Sequence, residues 1–175
     1  MDQQTTDKDK EFAWQGREFA FHVRAETEDG LKKKGTFVLP EDLQKFTVTC
    51  DEGVRLGGAN SAPTPLGYFL LGAGFCALTQ LTRYAEMMKV PLDHASVDVK
   101  SRFRTDGSVL RETIKGTALG FELHIQVQSP APAARVAALV RAAEAGCFAM
   151  QTVINPTDVT HHVTLNGAPL DIEAR

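Results

Sequence analysis

Between Leu66 and Leu78 the chain holds an apolar run of 13 residues. Thr64-Pro65, just before, is a helix start. Thr is a favoured N-cap, and Pro at the first helical position loses an N–H that has no intrahelical partner anyway. The helix is stopped by Pro91, so the sequence predicts a helix to about Lys89. Its first half is apolar all round: Leu66, Tyr68, Phe69, Leu70, Leu71, Ala73 and Phe75. A helix without a polar face is covered on every side, by other elements of its chain or by a second subunit. Polar residues return only at Thr79, Gln80 and Arg83. The apolar run falls short of the roughly 20 residues of a membrane span, so a central core helix is expected.

Strand patterns flank this helix. Glu18 to Glu26 alternates, with Phe19, Phe21, Val23 and Ala25 on one side and Ala20, His22 and Arg24 on the other. Glu28-Asp29-Gly30 is a turn signal, Gly35 to Leu39 reads as the returning strand of a hairpin, and Phe46 to Cys50 as a third strand. A loop rich in Gly and Pro, Gly53 to Pro65, leads to the helix. Beyond it, Ser96–Thr105, Val109–Thr117 and Phe121–Gln128 read as a three-stranded antiparallel meander. Ala133 to Val153 is a second helical stretch with Gly146 bending or interrupting it, and Val159–Leu165 a last strand. The order is that of an α+β domain. Residues 1–16 read as a disordered tail and 17–175 as a single domain.

A chain of 175 residues with 43% hydrophobic and 23% charged residues buries a core without staples. A net charge of −3 argues against nucleic-acid binding through bulk electrostatics. The polar start MDQQTTDKDKE has no apolar segment of a signal peptide. With three Cys, an odd count, reduced thiols and a cytoplasmic location are expected.

Few motifs carry chemistry. Gly72-Ala73-Gly74 followed by Ala77 matches a loose dinucleotide fingerprint, but it lies inside an apolar helix, where small residues allow close packing. His161-His162, adjacent on a strand, point to opposite faces and do not make one metal site; neither a metal nor another cofactor is expected. Lys32-Lys33-Lys34 reads as a solvated hairpin edge. Cys76 and Cys147 each lie in a helical segment among small neighbours. Buried Cys is a common and often inert core residue, so the residues themselves leave both an inert and a reactive reading open. Cys50 sits beside Asp51-Glu52, whose carboxylates would raise its pKa and blunt it.

The stretch Leu56-Gly57-Gly58-Ala59-Asn60-Ser61-Ala62-Pro63-Thr64-Pro65, the apolar helix carrying Cys76, the late Ala145-Gly146-Cys147 and the ending Val163-Thr164-Leu165-Asn166-Gly167 together resemble the OsmC/Ohr family. The resemblance covers roughly residues 17–167. It implies antiparallel strands around a long buried central helix, an intertwined homodimer, and reduction of organic hydroperoxides in the oxidative stress response by a Cys pair that a dithiol partner re-reduces. Cys76 maps to the peroxidatic Cys and Cys147 to the resolving one. An Arg from the first strand region would hold the thiolate. Arg24 is preferred over Arg17, since it lies towards the turn; Arg83 is two helical turns from Cys76 and too far. The family's Glu after the helix-opening Pro would fall at Leu66 or Gly67, so that carboxylate is absent. Weak peroxide turnover is expected for that reason. The alternative is a chain of the same fold that binds a small apolar ligand at the dimer interface, lined by Leu66, Phe69 and Leu70, without turnover. No membrane partner is expected under either reading.

Overall fold

The computed structural model describes residues 18, 20–38, 45–155 and 157–172. Arg17, Phe19, Leu39 and the tail expected over residues 1–16 lie outside them. The chain divides into two compact units, Met1–Pro65 and Leu66–Arg175.

In the first unit, β1 (His22–Thr27), β2 (Lys33–Val38) and β3 (Phe46–Cys50) form an antiparallel sheet in that order. Arg24 pairs with Thr36, and Lys33 with Cys50. β1 starts four residues later than the alternation from Glu18 suggests. After β3 the chain folds around one carboxylate. Asp51, 2% exposed, accepts from the amide of Glu52 on Oδ1 and from the amides of Ala59 and Ser61 and the Ser61 hydroxyl on Oδ2, all within 2.8–3.1 Å. These bonds, the Ser61 pair foremost, hold its pKa down to about 2. Gly58 is required here: a Cβ would stand 2.0 Å from the Glu52 carbonyl oxygen.

In the second unit, α1 (Pro65–Met87) starts where Thr64-Pro65 places it. By length and composition alone its 23 residues are enough to cross a bilayer, more than the 13-residue run suggested. Its buried residues, Ala73, Gly74, Gln80, Leu81 and Ala85, recur at helical spacing and form one face. The expectation of close packing at the small residues holds at Gly74, where a Cβ would lie 3.3 Å from Val99 and 3.5 Å from Val97.

Those valines belong to β4 (His94–Asp106), which pairs along its whole length with β5 (Lys115–Gln128). This corrects the three-stranded meander: Val109–Arg111 is a single 3-10 turn at the tip of one long hairpin. The register steps between Arg102 and Phe103, opposite Gly120 and Ala118, so Leu119 is an extra residue in β5. Such a bulge reverses which alternate residues share a face. Below it, Phe121, Leu123, Ile125 and Val127 are half-buried beneath α1, and Phe121 meets Phe69 edge-on with ring centres 6.1 Å apart.

The second helical stretch is two helices, α2 (Ala133–Ala145) and α3 (Phe148–Ile154), bent 67° apart at Gly146-Cys147. Leu81, Ala85, Val90, Leu139 and Ala143 form the core. Leu81 and Leu139 are almost fully enclosed, and truncating either to Ala costs about 2–5 kcal/mol. Arg135 of α2 donates to the carbonyls of Met88 and Lys89, just past the C-terminal end of α1. The last strand is shorter than Val159–Leu165: only Thr164–Leu165 (β6) pairs, with Ala168–Pro169 (β7), across a turn in which Asn166 and Gly167 take positive φ.

Candidate active site

Cys76, Gln80 and Tyr84 are four residues apart on α1, so they stack a turn above one another on one side of the helix. That side meets the bend between α2 and α3. Gln80 is 4% exposed and donates from Nε2 to the Gly146 carbonyl oxygen at 2.9 Å. The Tyr84 hydroxyl lies so near Gly146 that a Cβ there would stand 2.2 Å from it. The lack of a side chain at 146 therefore lets α1 approach the bend.

Cys147 follows, fully buried, at the N-cap position of α3. Both Cys76 and Cys147 are free thiols, and Cys76 is half-buried. They are neighbours, near enough for Cys76 to act on the titration of Cys147. Burial is the main force raising the Cys147 thiol above its ordinary pKa. The amides of Met150 and Ala149 pull it down, the neighbouring Cys76 adds to the rise, and the net direction is up. Cys147 is therefore a neutral thiol at neutral pH. An apolar cavity of about 20 Å³, bounded by Ala77, Leu81, Val97, Leu123, Ala143 and Cys147, adjoins it. It has room for about one water and none for an acyl chain.

The structure thus brings Cys76 and Cys147 together. Arg24 lies in the other unit, on β1, with its guanidinium on the Glu26 carboxylate. The first turn of α1 carries no acidic residue. Cys50, half-buried at the end of β3, is also in the first unit. Among the described residues no three His, Cys, Asp or Glu gather as a metal site.

Gln80 is the residue that motif reading passed over. Its Oε1 is buried and has no hydrogen-bond partner among the described residues, a state that costs about 1–3 kcal/mol. The available signal was its position: a polar side chain one turn after Cys76, on the same side of the helix.

Residues 58–162, more than half of the chain, match the family model described as OsmC-like protein. The chain belongs to the OsmC family. No curated protein matches it significantly, whereas solved structures of OsmC-like proteins share its fold. An OsmC-like hydroperoxide resistance protein from Jannaschia sp. CCS1 is 24% identical, with a TM-score of 0.57 over 85% of this chain and 95% of that one. An OsmC-like protein from Mycoplasma pneumoniae is 16% identical, with a TM-score of 0.60 over 79% and 89%. An organic hydroperoxide resistance protein OsmC from Legionella pneumophila is 18% identical, with a TM-score of 0.56 over 79% and 91%.

Proposed function

We propose that this OsmC-family chain is a thiol-dependent peroxidase that reduces organic hydroperoxides in the oxidative stress response. One observation carries the reading: a half-buried thiol, Cys76, beside a fully buried one, Cys147. The burial matches the order of events. Peroxide reaches Cys76 first, and Cys147, shielded, reacts only with its neighbour.

Cys76, as thiolate, attacks the terminal oxygen of the hydroperoxide. The S–O bond forms as the O–O bond breaks, and the alkoxide takes a proton and leaves as alcohol. Cys147 then attacks the sulfenic sulfur; the S–S bond forms, and the departing hydroxide leaves as water with the Cys147 proton. A dithiol reductant restores both thiols by exchange. Arg24 stabilises the Cys76 thiolate in this scheme. Two relatives named for hydroperoxide resistance support the substrate class.

The working form in this reading is a homodimer. Leu66, Phe69, Leu71 and Phe75 are 48–60% exposed on a stretch of α1 with no polar face, and a second copy would cover them. Sedimentation at micromolar concentration should give twice 19.1 kDa; a stable monomer removes this part of the proposal.

The direct test is consumption of cumene hydroperoxide with a dithiol such as dihydrolipoamide. Wild type turns over, Cys76→Ser does not, and Cys147→Ser consumes about one equivalent. The exposed Leu66 and Phe69 beside an acid-free helix start favour a second reading, a binder of apolar ligands. Saturable binding of a fluorescent fatty acid with no hydroperoxide consumption would establish that reading instead.

A further inference from the structure

The Oε1 of Gln80 is a buried acceptor that nothing among the described residues uses. Its position is set from both ends. Helical side chains tilt towards the N-terminus, so a long side chain at 80 leans back over the turn that carries Cys76. At the same time Nε2 is fixed on the Gly146 carbonyl, next to Cys147. A flipped amide would set oxygen against oxygen there, so the Gly146 carbonyl also decides which end of the amide is free. The amide is thus anchored beside Cys147 and leans over the turn that carries Cys76, with its oxygen unpaired among the described residues.

We propose that Gln80 belongs to the thiol site: its Oε1 accepts the hydrogen bond of the sulfenic hydroxyl formed on Cys76 and fixes the S–O bond while Cys147 attacks. This rests on the peroxidase reading. In the reduced protein the side chain one turn before Gln80 is a thiol, a weak donor. Oxidation by an organic hydroperoxide adds a hydroxyl to Cys76, and with it a strong donor one helical turn from Gln80. Displacement at sulfur needs the leaving oxygen in line with the attacking thiol, so a fixed acceptor for that oxygen speeds the second step. The first step, S–O formation, precedes the hydroxyl and does not use Gln80. The balance is that given above: the S–S bond replaces the S–O bond, and hydroxide leaves as water with the Cys147 proton.

The test separates the two steps. Reduced protein is mixed with one equivalent of cumene hydroperoxide; sulfenic acid is trapped with dimedone and the disulfide is followed by mass spectrometry after an acid quench. Gln80→Met keeps the length and removes both amide atoms. It should leave the first step within about twofold and slow disulfide formation about tenfold, the effect of losing that alignment. Sulfenic acid should accumulate. Gln80→Glu gives a second readout. Protonated, its hydroxyl donates to Gly146 and its carbonyl accepts; ionised, it presents only acceptors, and burial raises its pKa. Its resolution rate relative to wild type should therefore rise as pH falls. A Met variant that resolves at the wild-type rate, or slows both steps alike, overturns the inference, as does a Glu variant whose ratio is flat with pH. A wild-type chain that consumes no hydroperoxide sinks the peroxidase reading and this inference together. A competent peroxidase with an unaffected Met variant sinks this inference alone.

Discussion

Arg24 grips Glu26 through two nitrogens, Nε at 3.0 Å and Nη2 at 2.7 Å, both on Oε1. Two apart on β1, the residues share a strand face. Their side chains are 70% and 55% exposed, so the pair adds at most about 1 kcal/mol of stability. In the proposed scheme its value would be orientation, because Glu26 would provide Arg24 with a carboxylate that the first turn of α1 lacks. Arg24→Ala should leave the melting temperature almost unchanged and cut kcat/KM for hydroperoxide at least about tenfold, the effect of about 1.4 kcal/mol lost from the transition state. Glu26→Gln should cause a smaller fall. An Arg24→Ala enzyme at full rate would remove Arg24 from the site.

Leu66 and Gly67 are the second and third residues of α1. A carboxylate at position 67 meets the positive end of the helix. Gly67→Glu should raise hydroperoxide turnover and the rate of Cys76 alkylation near neutral pH. Gly67→Ala, the control, should only stabilise, by up to about 1 kcal/mol. Equal alkylation rates in the two variants would deny the carboxylate any role.

Cys147 is raised above the ordinary thiol value of 9.0. Its protonated form is favoured by folding, so the associated stability is complete below that value and is lost as pH climbs through the higher folded one. Alkaline unfolding should therefore set in at higher pH for Cys147→Ala than for wild type. In the folded wild type, Cys147 should alkylate later than Cys50. Peptide mapping after one equivalent of hydroperoxide should place the disulfide between Cys76 and Cys147 and leave Cys50 free.

Asp51 titrates near 2 in the folded chain, against 3.8 ordinarily. A depressed carboxylate contributes stability above its unfolded value and loses it as pH falls from about 3.8 through about 2. Wild type should melt progressively lower across that window, and Asp51→Asn should show a flatter profile. Asn also turns an amide NH2 towards donors that need an acceptor, so its melting temperature at pH 7 should fall by several degrees. An unchanged melt at both pH values would count against the clamp.

Gly146→Ala forces the Tyr84 ring out of its seat, since the new Cβ would stand 2.8 Å from Cε2 and 2.9 Å from Cζ. Overpacking of this kind costs about 1–3 kcal/mol. It also pushes the bend away from Gln80 and Cys76, so disulfide formation should slow along with the drop in melting temperature. Restored stability in Gly146→Ala/Tyr84→Phe would identify the hydroxyl as the point of conflict.

Local signals in the sequence were enough to find β2, β3, the start of α1 and the break at Gly146, because each rests on alternation, capping or a missing Cβ. The β4–β5 hairpin was harder to read. The extra residue Leu119 shifts the alternation from one parity to the other, and two short strands are what a period-two reading then returns. The meeting of Cys76 with Cys147 was reached by resemblance, since no local pattern encodes a contact 71 residues apart (147 less 76). Gln80 and Asp51 stayed hidden for a related reason: their roles arise from partners at Gly146 and Ser61 that only the folded chain brings near.

The 67° bend at Gly146-Cys147 carries a thermodynamic consequence. Joining Cys76 to Cys147 would close a loop of 71 residues (147 less 76) within one chain. In the chain-entropy picture a loop of that length removes about 4 kcal/mol of freedom from the unfolded ensemble. The oxidised molecule would be the sturdier one, and each visit by the reductant would loosen it. Heat resistance would then act as a record of recent peroxide exposure, written into the chain's own melting curve.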